Sequence, residues 1–89
     1  MATVLVTYDL RAPGRDYKPV HEYLRGFTHC HGMESVWLLD TLREPTVIRD
    51  ELARLIDQND RLFVVRITRT WASRQYPCGD WLNRPERTF

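Results

Sequence analysis

The alternation of apolar and polar residues predicts three clear strands in this chain. The β-branched run at 3–10 is typical of a buried strand, and its side chains alternate between two faces, with Tyr8 on one and Asp9 on the other. A second strand is predicted over 34–41, and the longest over 61–71. The residues THCHGM that precede the second strand are open to three interpretations: a strand of their own, a bulged extension near Gly32, or a loop.

Two segments between these strands carry apolar residues at helical spacing. The first helix is predicted from residue 18 or 19 to residue 26, with Pro19 in the first turn, where proline is tolerated, and Asp16 near the start. The second is predicted from residue 45 or 46 to residue 56 or 57, with Thr46 as N-cap. The predicted buried stripes are Val20, Tyr23, Leu24 and Phe27, and then Ile48, Leu52, Leu55 and Ile56.

These elements predict an α+β fold, a ferredoxin-like β-α-β-β-α-β sandwich in which two helices cover one face of an antiparallel sheet. The predicted domain spans residues 1–71, and its order needs a short strand between the first helix and residue 34. Residues 72–89 lack a clean periodicity and are interpreted as an irregular C-terminal extension. Because Trp81 and Leu82 are too apolar for a free tail, this extension is expected to add an edge strand or to lie over the domain.

Size and composition restrict the class of protein. A chain of 89 residues has room for one domain and one core, and with apolar residues on both faces of its strands it is expected to form a homodimer. With 28% charged residues and no apolar run near the about 20 residues that span a bilayer, no membrane role is expected. No basic leader precedes the first strand, so no signal peptide is expected. Cys30 and Cys78 are too few for a disulfide framework, which favours a reducing cytoplasm.

Charge is unevenly distributed along the chain and is carried almost wholly by arginine. Residues 1–60 carry a net charge of −3 and residues 61–89 a net charge of +4, while Lys18 is the single lysine among 13 basic residues. Arginine matches phosphate geometry and stacks on bases, so the bias permits a nucleic-acid partner. A GC-rich genome, which favours arginine codons, is the alternative explanation.

Asp9 is the first candidate for a functional side chain, because it ends an apolar strand just before a loop rich in glycine and proline. A single carboxylate holds Mg²⁺ poorly, but two copies of Asp9 facing each other across a dimer axis would form a more reasonable site. The alternative is a strand-end aspartate that accepts hydrogen bonds from loop amides.

Short motifs at defined positions carry a resemblance to a known family. They are Tyr8-Asp9 at the end of the first strand, Gly32, Ser35-Val36-Trp37, and Asp60 before Leu62. In this combination and order, over residues 3–70, the chain resembles the CRISPR-associated protein 2 superfamily, which includes VapD-type toxins.

The resemblance implies a ferredoxin-like homodimer that associates through its sheets and brings Asp9 close to its symmetry mate. It also implies either a Mg²⁺-dependent endonuclease centred on the paired Asp9 residues or a non-catalytic nucleic-acid scaffold, with an integrase or an antitoxin as the protein partner. In either case Arg11 and Arg15, in the loop after Asp9, are expected to hold DNA or RNA. The rival hypothesis is a ferredoxin-like interaction or sensor module without a nucleic-acid role.

Further basic and aromatic residues follow in the last predicted strand and the extension. Arg66, Arg69 and Arg74 interleave with Trp71 and Tyr76, a pattern typical of surfaces that bind phosphates and stack bases. In an extended strand the first two arginines lie on opposite faces, so they form one patch only if the strand bends or twists. The alternative is arginines at the rim of a core or an interface.

A group of His29, Cys30 and His31 is the remaining chemical cluster. In a strand the two histidines lie on one face and the cysteine on the other, so the three cannot bind one ion. A zinc site would need a distant ligand such as Cys78, and the spacing matches no zinc motif. His21, on the first helix, is interpreted as a solvated or edge residue, with acid–base chemistry as the alternative.

Overall fold

In the computed structural model, which describes residues 1–11 and 16–89, the chain forms a four-stranded antiparallel sheet with three helices. The predicted site residue Arg15 lies outside the described residues. The elements, in chain order, are β1 (Ala2–Asp9), α1 (Lys18–Arg25), β2 (Thr28–Met33), β3 (Val36–Thr41), α2 (Pro45–Ala53), β4 (Arg61–Arg66) and α3 (Gly79–Leu82). The sheet order is β2-β3-β1-β4, so β2 and β4 are its edges.

The segment with three interpretations forms a strand, β2, whose pairing with β3 is irregular between Cys30 and Met33. The longest predicted strand is shorter than expected, because β4 ends at Arg66 instead of continuing to residue 71. The register explains this difference. Arg66 already lies opposite Val4 near the beginning of β1, so little partner strand remains for the residues that follow.

The first face of the sheet, the helix face, carries the main core. Val4, Val6 and Tyr8 of β1 point to this face, and α1 and α2 both pack on it. The predicted stripes are confirmed at their centres, since Val20, Leu24, Ile48 and Leu52 are all buried. Each of these residues lies one helical turn from another, so the two short helices bury a narrow apolar stripe and leave their charged sides in solvent.

The opposite face, the tail face, is covered by the end of the chain. A second apolar cluster joins Leu38 of β3 to Cys78, Trp81 and Leu82. Residues 72–89 contain α3 and no strand. The homodimer was predicted because this face seemed to need a partner, but the chain covers much of the face itself.

Three anchors hold the segment of residues 72–89, called the tail below, on this face. Cys30 in β2 forms a disulfide with Cys78. Arg87 donates to Asp40 in β3 at 2.8 Å, and the Thr3 hydroxyl donates to the carbonyl of Thr88 at 2.8 Å. The disulfide was not expected from the sequence. Such bonds persist mainly in oxidising compartments, so the two cysteines no longer support a cytoplasmic location. In the part of the chain that is described, no helix is long and apolar enough to cross a membrane.

Replacement of Leu52 by alanine should lower the free energy of unfolding by about 2–5 kcal/mol, the usual range for removing a buried leucine side chain. Leu52 is fully buried between α2 and the sheet. Chemical denaturation of the two proteins measures the difference, with Val47→Ala on the exposed side of the same helix as a matched control. Equal unfolding midpoints for wild type and Leu52→Ala would contradict this packing.

Candidate functional site

Asp9 lies where the sequence predicted, exposed at the carboxyl end of β1. Its Oδ2 is 3.2 Å from Nε of Arg11, and the Asp9 side chain is 54% exposed. Across the strand pair Asp9 lies opposite Arg61 of β4. An exposed ion pair of this kind contributes about 0–1 kcal/mol to the free energy of unfolding. Its main effect is therefore to hold two charged groups in place at this end of the sheet.

Asp60 organises the loop that presents Arg11. Its carboxylate accepts hydrogen bonds from the backbone amides of Arg11 at 2.6 Å and Asp57 at 2.8 Å, and from the hydroxyl of Tyr17 at 2.7 Å. The two described ends of the loop after β1 are therefore tied to the turn before β4. In the sequence analysis Asp60 was only a landmark of the resemblance, because two of its three donors, Arg11 and Tyr17, come from distant parts of the chain.

The residues of one chain do not fit a magnesium site at Asp9. Mg²⁺ requires several oxygen ligands in near-octahedral geometry. Asp9 offers one carboxylate, already paired with Arg11, and the described residues contain no group of three or more acidic, histidine or cysteine side chains that could hold a metal. A metal at this position would need the carboxylate of a second copy.

The predicted nucleic-acid-binding residues Arg66, Arg69 and Arg74, which the structure describes, do not gather around Asp9. Arg66 points to the helix face, where it pairs with Glu44 at 3.3 Å. The Arg69 guanidinium lies 5.3 Å from the centre of the Phe89 ring, and Arg74 is an exposed residue of the tail. Of the predicted arginines that the structure describes, only Arg11 contacts Asp9. Arg66 lies in β4 on the helix face, whereas Arg69 lies beyond the end of β4, next to Phe89.

The described residues leave one end of the tail face uncovered next to Asp9. Thr7, Asp9, Arg61 and Phe63 line a shallow depression of about 210 Å³ there. Phe63 is 61% exposed, an unusual position for a large apolar side chain in the middle of a strand. We call this region the open end. Sequence analysis missed it, because only the strand pairing shows that Phe63 lies beside Thr7.

The three histidines lie on the helix face, around the indole of Trp37. His31 stacks on it with ring centres 3.8 Å apart, and His29 and His21 lie at 5.3 and 5.9 Å. The prediction that His29 and His31 share one face and Cys30 the other is confirmed, since Cys30 reaches across the tail face to its disulfide.

A hydrogen-bond network fixes this cluster next to Asp9. The Trp37 indole donates to the hydroxyl of Tyr8 at 3.0 Å, and that hydroxyl donates to the Glu34 carbonyl at 3.1 Å. Burial raises the pKa of Tyr8, against a smaller lowering by the indole, so Tyr8 remains a protonated donor at neutral pH. Beside the network lies a cavity of about 510 Å³, lined by Tyr8, Asp9, Leu10, Tyr17, His21, His31, Glu34 and Ser35. We call it the histidine cavity.

In comparisons with known proteins, the chain matches no protein-family model and no solved structure. Its functional assignment therefore rests on the residues at the open end and in the histidine cavity.

Proposed function

We propose that the protein is a nucleic-acid-associated homodimer with a ferredoxin-like fold, similar to the CRISPR-associated protein 2 superfamily. The order β1-α1-β2-β3-α2-β4, with both longer helices on one face of the sheet, supports the ferredoxin-like part of the proposal. The position of Tyr8 and Asp9 at the carboxyl end of β1 agrees with the motif that carries the resemblance.

The observation that carries the proposal is the open end, where exposed Phe63 lies beside Asp9 and its partner Arg11. A second copy packed here would cover Phe63, whose burial is worth about 1.5–3 kcal/mol per copy. A twofold arrangement would also double the charge of Arg11 along one surface. Because the net charge of the chain is only +1, attraction to a polyanion must come from such a local concentration of arginine.

Binding should depend on Arg11 and weaken with salt. Each phosphate neutralised on a duplex contributes about −0.9 to the slope of log affinity against log salt. Arg11→Ala removes two cations from a dimer, so the slope should become less steep by up to about 1.8. Fluorescence anisotropy with single- and double-stranded DNA and RNA measures this slope.

Arg25→Ala is the matched control, because Arg25 is an exposed arginine in the last turn of α1, away from Asp9, and its loss should leave the slope unchanged. Light scattering of wild type and Phe63→Glu tests the dimer, which the added charge should dissociate. A wild type that is monomeric at micromolar concentration and binds none of the four probes at about 50 mM salt would contradict the proposal.

The proposal has a catalytic form and a scaffold form, and replacement of Asp9 distinguishes them. Because the residues of one chain cannot form a magnesium site at Asp9, the catalytic form needs Asp9 from both copies. The ion pair between Asp9 and Arg11 would also have to break. Asp9→Asn keeps the shape and removes the charge. Mg²⁺-dependent cleavage by wild type that is lost in this variant identifies the catalytic form. Binding without Mg²⁺-dependent cleavage in either protein identifies the scaffold.

A separate observation favours the sensor module as second candidate. A mainly apolar cavity of about 630 Å³ lies between the sheet and the tail, with walls from Leu5, Val36, Ile67, Trp71 and Tyr76. Its size and lining are typical of small-molecule sites. Quenching of tryptophan fluorescence by a small aromatic probe, lost in Val36→Trp, would support this function. It would gain further weight if the nucleic-acid assays were negative.

A further inference from the structure

We propose that His21 and His31 form a metal-independent acid–base pair that cleaves single-stranded RNA through attack by the 2′-hydroxyl of the RNA. The inference rests on the proposed binding of nucleic acid, and it adds a substrate class and a reaction that need neither Asp9 nor Mg²⁺.

The geometry of the two rings is the first support. Their centres are 6.1 Å apart, and both line the histidine cavity, whose rim includes Asp9. Because both rings line the same cavity, a phosphate group bound in it would lie next to both imidazoles. The cavity volume of about 510 Å³ is within the range that holds a small ligand, and Tyr17 in its wall offers an aromatic surface for a base.

The hydrogen bonds of His31 orient its ring for catalysis. Its Nε2 lies 2.9 Å from the Glu34 carbonyl. A carbonyl only accepts, so Nε2 carries the proton, and in the neutral ring Nδ1 has the lone pair. The indole of Trp37, stacked at 3.8 Å, fixes the plane of the ring.

His21 is held in the same way. The Tyr8 hydroxyl donates its one proton to the Glu34 carbonyl and accepts a hydrogen bond from the Trp37 indole. It can therefore make a further hydrogen bond only as an acceptor. His21 Nε2 lies 3.5 Å from that hydroxyl oxygen, a long contact in which the imidazole is the donor because the hydroxyl proton is already used. Both rings thus use Nε2 for a contact with the protein, and among the described residues neither Nδ1 has a hydrogen-bond partner, so we assign the proton transfers to the two Nδ1 atoms.

The reaction balances with these two groups alone. One imidazole, neutral, takes the proton of the 2′-hydroxyl, and the 2′-oxygen forms a bond to phosphorus. The bond from phosphorus to the 5′-oxygen breaks, and the other imidazole, protonated, gives its proton to that oxygen. The products are a 2′,3′-cyclic phosphate and a 5′-hydroxyl end. Histidine suits both roles because it populates both protonation states near neutral pH.

The third histidine provides a matched control. His29 also contacts Trp37, but its Nδ1 is 2.9 Å from the Phe27 carbonyl and it does not line the cavity. His29→Gln removes an imidazole from the same aromatic cluster without removing one from the proposed site.

The test uses a fluorescent oligoribonucleotide with EDTA present and its all-deoxy counterpart. Wild type and His29→Gln should cut the RNA at similar rates, leave a cyclic phosphate detectable by mass spectrometry, and leave the DNA intact. His21→Gln and His31→Gln should each be slower by about 10²–10⁴-fold, the usual contribution of a general acid or base. Circular dichroism checks that all variants are folded, and an unfolded glutamine variant is replaced by the asparagine variant at the same position.

Binding measured in parallel separates this proposal from the preceding one. RNA that binds but is not cut in EDTA overturns the acid–base pair and leaves nucleic-acid binding intact. Cleavage that persists in folded His21 and His31 variants, or cleavage of the DNA at the same rate, overturns it too. Absence of RNA binding with DNA binding intact also overturns the acid–base pair, whereas absence of binding to every DNA and RNA probe means that the proposed function itself has failed.

Discussion

Reduction of the Cys30–Cys78 disulfide is expected to lower the free energy of unfolding by about 4 kcal/mol. The two cysteines are 48 residues apart, and in the chain-entropy model a cross-link that closes a loop of this length stabilises a protein by about that amount. Few small domains have more than about 15 kcal/mol in total, so the loss should be large for this chain.

The loss should be concentrated on the tail face. Cys78 is fully buried in the cluster around Leu38, whereas the described core residues beneath α1 and α2 form a separate cluster on the other face. Reduced protein should therefore keep the helix face while the tail loosens. Hydrogen exchange should increase in residues 72–89 and in β2 before it increases in α1.

Guanidinium unfolding with and without a phosphine reductant measures the effect, and mass spectrometry confirms reduction. The Cys30→Ala, Cys78→Ala double variant is the control, because its unfolding midpoint should be insensitive to the reductant. A wild type that is fully reduced yet keeps its oxidised midpoint would show that the disulfide contributes nothing.

The elements on the helix face could be predicted because their patterns are local. Val4, Val6 and Tyr8 alternate with polar or less buried neighbours, and Ile48 and Leu52 are one helical turn apart. Such spacings fix both the type of element and its buried side without knowledge of the partner. The position of Asp9 at a strand end follows from the same local pattern.

The tail could not be predicted in this way, because its contacts depend on the assembled sheet. The disulfide joins Cys78 to a strand 48 residues earlier, and the irregular sequence around it has no period. Gly32 illustrates the limit. A Cβ there would come within 2.5 Å of the Tyr76 ring and 2.8 Å of the Cys78 sulfur, so the tail itself requires glycine.

The same distinction applies to the candidate site. The pair of Asp9 and Arg11 is close in sequence, so a shared site was foreseeable, as was the common face of His29 and His31. The nearness of His21 to Tyr8 and His31 depends on how α1 packs on the sheet. A helical histidine beside apolar residues gave no indication of that contact.

Replacement of Arg87 by alanine is expected to lower the free energy of unfolding by about 3–5 kcal/mol, because it leaves the carboxylate of Asp40 buried without a countercharge. The two side chains are only 6% and 9% exposed, and their closest atoms are 2.8 Å apart. The guanidinium also lies 3.8 Å from the centre of the Trp81 ring, so the variant loses a cation–π contact in addition.

Arg84→Ala, which removes an exposed arginine from the same segment, should change the free energy of unfolding by no more than about 0.5 kcal/mol.

The sharper comparison replaces both charges, as in Asp40→Leu with Arg87→Met. Asp40 Oδ1 and Arg87 Nε have no hydrogen-bond partner in the described structure. The interactions of the pair therefore do not fully offset the free energy lost when the two charges leave water. The double variant should therefore be about as stable as wild type, and much more stable than Arg87→Ala. If Arg87→Ala unfolds at the same denaturant concentration as Arg84→Ala, the ion pair does not anchor the tail, and the disulfide, the Thr3–Thr88 hydrogen bond and the apolar contacts must hold it on the sheet.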